Sequence, residues 1–287
     1  MKSEKLTVAF WSVLAAVFLT GFKLLIGLAT GSLGILSEAL HSGLDLIAAV
    51  ITFISVRVSD KPADEDHNFG HGKIENFSAF IETILLLITC TWIIYEAINR
   101  LITGKTHIEV TIWSYVVVIT AIIVDIGRSR VLYRVAKKHN SQALEADALH
   151  FSTDIWSSAV VLFGLICANF GFFFADSIAA LIVAVLVLFV SYKLGRRAMD
   201  VLLDKAPSSV ISQVSSILST IPEVSYFHDL KVRNSGADTF INVTIHVDPE
   251  ISVKDAHAIS EMVERVICES ITRCEVHIHY EPEEENS

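Results

Sequence analysis

Apolar residues fill long blocks through roughly the first two thirds of the chain and alternate with polar ones in the last third. Six stretches, 7–29, 33–57, 77–101, 110–134, 145–170 and 176–197, hold few charges. Each is near the length of about 20 residues that a helix needs to cross the hydrocarbon core of a membrane. Short turns, Ala29–Leu33 and Ala168–Ala175, join the first to the second and the fifth to the sixth. From Pro207 onward the period shortens. Val210, Val214 and Ile217 predict a helix over 208–220 that Ser208 and Ser209 can cap. Leu230 and Val232 mark a strand, 234–238 a turn, and Ile241, Val243, Ile245 and Val247 a second strand of period two. A helix over 253–269 turns Ile259, Val263 and Ile267 inward, and Val276, Ile278 and Tyr280 alternate in a last strand. The pattern predicts a domain of six transmembrane helices over 1–205, followed by an α+β domain over 206–287.

Composition agrees: the chain is 52% hydrophobic with mean hydropathy +0.54, yet carries 32 acidic and 22 basic residues. Its net charge of −10 argues against nucleic acid and favours cationic partners. Basic residues are unevenly placed. Lys2, Lys5, Arg57, Lys61, Lys73, Arg128, Arg130, Arg134, Lys137, Lys138, Lys193, Arg196, Arg197 and Lys205 fall on one side of the predicted spans, and only Arg100 and Lys105 on the other. That bias places both termini and the α+β domain in the cytosol. Lys23 is the exception, a cation inside the first span, to be buried in the bundle or snorkelling. Lys2 and Lys5 before an apolar run resemble a signal peptide, but the run is too long and lacks a small-x-small cleavage site, so it reads as a retained span. Cys90, Cys167, Cys268 and Cys274 show no CxxC spacing, which fits a reducing cytosol. The acidic end, 281–285, reads as a solvated, frayed terminus.

Two copies of one frame carry the chemistry: His41-x-x-x-Asp45 in the second stretch and His150-x-x-x-Asp154 in the fifth. Spacing of four stacks both side chains of a pair on one helix face, about 6 Å apart along the axis. Ionisable groups at bilayer depth cost roughly 2.5–3.5 kcal/mol each and need a reason to be there. Neither stretch has a basic residue near its pair. Two facing pairs would offer two imidazoles and two carboxylates, a set that suits Zn²⁺ and also admits Cd²⁺, Co²⁺ or Fe²⁺. Binding needs neutral imidazoles and ionised carboxylates, so metal and protons compete for the four residues and can be exchanged across the bilayer. Asp125 and Arg128 read as an ion pair within the fourth span. Glu38, one turn before His41, reads either as a pore-lining, proton-handling carboxylate or as the polar end of its span. In the loop after span two, His67 and His71 beside three acidic residues read equally as a capture site or as solvated histidines.

Six spans, paired frames in spans two and five, and an α+β domain of about eighty residues resemble the cation diffusion facilitator family. The loop Pro62-Ala-Asp-Glu-Asp-His-Asn-Phe-Gly-His-Gly-Lys-Ile-Glu75 is similar to that family's signature. The resemblance implies a homodimeric Zn²⁺/H⁺ antiporter that exports metal from the cytosol by alternating access, with a ferredoxin-like, metallochaperone-like C-terminal domain. It implies loop ligands at Asp64, His67 and His71. It implies a zinc site in the C-terminal domain from His228, His246, His257, His279 and Glu281, structural or regulatory, with Glu281 where other members have Asp. His277 shares a face with His279. Lys73 and Asp204 match a charge interlock at the dimer interface, and His41, where some bacterial members have Asp, matches zinc-preferring members.

Two other classes compete. An intramembrane zinc enzyme wants an HExxH frame with a general base and an open metal position, and the sequence has no such frame. A membrane-anchored zinc sensor would bind metal through the α+β domain without moving it.

Overall fold

The computed structural model describes residues 2–31, 33–103, 112–169 and 174–283. Lys105, the middle of the 168–175 turn and the end of the acidic tail lie outside them. The described chain forms two compact units: 1–61 with 74–199, and 62–73 with 200–287.

In the first unit the six stretches fold as α1 (Lys2–Thr30), α2 (Leu33–Ser59), α3 (Lys73–Thr103), α4 (Ile112–His139), α5 (Gln142–Asn169) and α6 (Phe174–Leu202). Among the described residues, Glu4–Thr30, Glu38–Ser59 and Lys73–Thr103 are long and apolar enough to cross a membrane. Exposed Trp11, Leu25, Leu28, Leu40, Trp92 and Ile102 suit a lipid-facing surface. Small residues let the helices approach: Ala9, Ala16, Ala49, Ala136, Ala143 and Ala148 bring α1, α2, α4 and α5 together around Leu132, Leu144 and Phe151. Ala79, Ala146 and Ala198 do the same for α3, α5 and α6. The helices overrun the apolar stretches at one end. Helix α3 begins at Lys73 rather than 77, because Glu75 and Asn76 are buried there among polar partners.

The second unit contains α7 (Ser208–Leu218), β1 (Tyr226–Ser235), β2 (Asp238–Val247), α8 (Val253–Ser270) and β3 (Cys274–Pro282). Strand order is β1-β2-β3, with β1 antiparallel and β3 parallel to β2. The crossover through α8 therefore pairs β3 directly against β2. Ile241, Val243, Ile245 and Val247 bury against Val214, Leu218, Val263 and Ile267, as period two and period 3.6 require. Three local expectations change. Helix α7 is capped by the Pro207 carbonyl, not by Ser208, and stops at Leu218. Strand β1 starts at Tyr226 and bulges between His228 and Lys231, where Asp229 takes φ 53°. The hairpin turn is only Gly236-Ala237, with Gly236 at φ +61°. Cys268 and Cys274 are free thiols; burial pushes the Cys274 thiol up to about 12.

Candidate metal centres

Helices α2 and α5 face each other, and the two His-x-x-x-Asp frames meet. His150 Nε2 lies 3.0 Å from Asp45 Oδ1 and 3.7 Å from Asp154 Oδ2, and His41 Nε2 lies 3.8 Å from Asp154 Oδ1. One donor atom each from His41, Asp45 and Asp154 falls within 4.8 Å of the others. The His41 side chain is 32% exposed and that of His150 only 5%, so the cluster is more open on the His41 side. It opens into a cavity lined by Lys23, Glu38, Asp125, Arg128, Ser157 and Ser158 as well.

The absence of neighbouring cations holds within α2 and α5 but not in space. Lys23 of α1 is buried, donating to Ser42 Oγ at 2.8 Å and Glu38 Oε2 at 3.2 Å. Arg128 of α4 pairs with Asp125 at 3.8 Å and stacks 3.3 Å above the Phe151 ring. With every carboxylate ionised and the histidines neutral, the lining carries four negative and two positive side chains. The excess is two negative charges, the complement of one divalent cation.

Sequence reading missed a further set of buried acids in the same unit. Glu82 is fully buried and accepts from Thr52 Oγ1 and, at 3.4 Å, Ser78 Oγ. Asp147, also fully buried, accepts from Ser12 Oγ at 3.0 Å. Glu75 accepts from Lys5, Ser59 and Ser141. A signal was present: Glu75 and Glu82 are two turns apart on α3, and Asp147 precedes His150 by one turn.

In the second unit Asp64, His67 and His71 come close together. Asp64 lies 3.1 Å from His67 Nδ1 and 3.5 Å from His71 Nε2, and the two imidazole centroids are 4.4 Å apart. The His67 backbone N–H, then its ring, holds the Asp64 carboxyl below the usual carboxylate range. His71 Nδ1 is buried with no hydrogen-bond partner. Phe69 fixes this loop, edge-on to Phe240 with the Arg233 guanidinium 3.9 Å over its ring. Gly72 packs so closely that a Cβ there would sit 2.3 Å from the Ser235 carbonyl oxygen.

On the sheet, the register His246↔Glu281 and the β1 bulge bring His228, His246 and Glu281 together. Glu281 Oε2 lies 3.5 Å from His228 Nε2 and 3.7 Å from His246 Nε2. His279 meets only the other oxygen, Oε1, at 3.4 Å. His257 does not join; it projects from α8 and pairs with Glu261 at 3.4 Å. His277 lines a separate pocket with Asn242, Glu275 and Arg233. Lys73 and Asp204 form an ion pair at 2.8 Å within one chain.

Residues 9–203 match the family model of the cation efflux transmembrane domain, and 206–283 that of the cation efflux protein cytoplasmic domain. The magnetosome protein MamB of Paramagnetospirillum magneticum is 33% identical over 92% of this chain and 89% of its own. The cation-efflux pump FieF of Shewanella oneidensis is 30% identical over 94% and 92%. An uncharacterized transporter of Methanocaldococcus jannaschii is 32% identical over 93% and 95%. A solved metal-bound C-terminal domain of the CzcD transporter from Thermotoga maritima is 31% identical over 26% of this chain and 87% of that one, with TM-score 0.25.

Proposed function

Since this chain belongs to the cation diffusion facilitator family, whose members carry divalent metal cations out across a membrane, we propose that its cargo is Zn²⁺, exchanged for H⁺. The observation that carries this reading is the convergence of His41, Asp45, His150 and Asp154 in one cluster between α2 and α5. Two imidazole and two carboxylate donors match the tetrahedral preference of zinc. An all-oxygen set would favour Mg²⁺ or Mn²⁺. Cd²⁺, Co²⁺ and Fe²⁺ compete for the same donors. Metal entering the quartet displaces protons from it, and protons arriving from the far side displace the metal. Alternating exposure of the quartet to the two sides turns that competition into antiport.

The charge bias of the loops supports cytosolic termini in a multi-pass cell-membrane protein. We place the transport domain at 1–205 and the cytosolic domain at 206–287, and assign the loop cluster a capture role. The cluster of His228, His246 and Glu281 takes a regulatory zinc ion at the contact of a homodimer. His257 and His279 complete it when a second copy approaches.

Zinc uptake into proteoliposomes of known orientation tests the assignment, with competing metals and an imposed pH step. Zinc should move down its gradient with opposite proton movement, and an inward-acid step should accelerate loading. Zinc binding without flux would make the protein a sensor, and flux indifferent to the pH step would remove the antiport.

A further inference from the structure

Polar contacts close one end of the first unit, while the cavity beside the quartet lies toward the other. The cavity beside the quartet is lined by Lys23, Glu38 and His41 toward the α1–α2 turn, and by Ser157, Ser158 and Val161 of α5. Toward the opposite end, where α1 and α5 begin and α2 ends, lie Thr52, Glu82 and Asp147, and none of these lines it. Beyond them sits a second polar layer. Lys5 Nζ donates to Asp60 Oδ1 at 2.7 Å and to Glu75 Oε1 at 2.8 Å. Ser59 Oγ donates to the same Glu75 oxygen at 2.9 Å, and Ser141 Oγ donates to the other. Lys5 is 5% exposed and Glu75 3%.

One carboxylate thereby gathers the start of α1, the end of α2 and the residue before α5. Helices α2 and α5 are the two that carry the quartet, so separating them at this end must break the bonds to Glu75. A buried ion pair loses most of its worth when one partner is removed, because the other charge is stranded. Water entering an opened end solvates both charges again. The pair therefore favours the closed end specifically, and by an amount the open form does not share.

We propose that Lys5 and Glu75 are positioning residues of a gate: their pair latches the end of the transport domain that faces the cytosol, and cargo reaches the quartet from that side only when it parts. The proposal rests on the transport reading for the word cytosol and for the cargo, not for the latch itself.

Side-specific thiol labelling tests it in the full-length chain, in oriented proteoliposomes, with the native cysteines replaced by serine. Ser55→Cys places a thiol on α2 between the latch and the quartet, at a position only 6% exposed. The probe is a membrane-impermeant quaternary-ammonium methanethiosulfonate. Glu75→Gln keeps the shape and loses the charge, while Lys5→Met leaves Glu75 and Asp60 facing each other. Both should raise labelling from the latch side about tenfold or more. Labelling from the other side should stay unchanged. Lys138→Met, which breaks an exposed pair with Glu4 at the same end, should leave labelling as in the unsubstituted latch. Rates that stay at that level in both latch variants overturn the proposal. So do rates that rise equally from both sides, since the pair would then hold the bundle together and not one end of it. Zinc flux is read in the same vesicles: absent flux with accelerated one-sided labelling defeats the transport reading and leaves the latch standing.

Discussion

Exchanging Asp154 for alanine removes the one residue that touches both imidazoles of the quartet. Zinc flux should fall to the level of empty vesicles, while zinc binding by the second unit, measured by calorimetry, persists. Flux at the unsubstituted rate would take the quartet out of the transport route. The loop cluster has its own acid response. Asp64 has its pKa lowered, so it stays ionised on acidification and is protonated only below the usual carboxylate range. Its fully exposed pairing contributes above that range and fades as pH falls through the lowered value. The Asp64 carboxylate should therefore remain available as a ligand on acidification until the pH falls below the usual carboxylate range. NMR titration of the Asp64 carboxyl carbon checks this, and a midpoint at or above the ordinary carboxylate value would contradict it. Legibility at this scale followed covalent neighbourhood. The quartet could be read because each pair shares a helix face and the frame occurs twice. Lys23 and Arg128 could not be placed beside it, because α1 and α4 bring them there from outside both frames.

Elements were readable in their middles and less so at their ends. Period two in β2 and period 3.6 in α8 placed Val243, Ile245, Val263 and Ile267 correctly in one core. Ile245→Ala should cost about 2–5 kcal/mol, seen as a lower transition temperature of the second unit in scanning calorimetry of the full chain. The transition of the first unit should not move. The start of α3 lay earlier than the apolar stretch because Lys73–Asn76 look like loop, and the partners that let Glu75 be buried, Lys5, Ser59 and Ser141, come from other parts of the chain. Gly72→Ala makes a similar point about close approach. Its methyl would overlap the Ser235 carbonyl oxygen, 2.3 Å away, so the loop must lift from the β1–β2 turn at about 1–3 kcal/mol. Faster proteolysis of the 62–73 loop, with β2 amide protection retained, is the expected outcome.

At the scale of the molecule, the chain carries three separate clusters of metal-capable side chains among the described residues, one in the first unit and two in the second. The regulatory role proposed above attaches to the sheet cluster of His228, His246 and Glu281. Replacing His228 and Glu281 together by alanine should abolish any zinc-induced compaction seen by small-angle scattering, and leave residual flux through the quartet. Compaction that survives the double substitution would place the responsive zinc elsewhere. His257, exposed on α8 and paired with Glu261, stands apart from the sheet cluster, which spacing along one chain could not show. The charge excess around the quartet reaches furthest. With its four carboxylates ionised the lining would be neutral once it held a divalent ion, and on the proposed transport reading membrane voltage would then exert little net pull on that site. Emptied, it would bear two uncompensated charges and feel about 4.6 kcal/mol across 100 mV. Protons taken up on the return leg, as the proposed exchange requires, would offset that penalty.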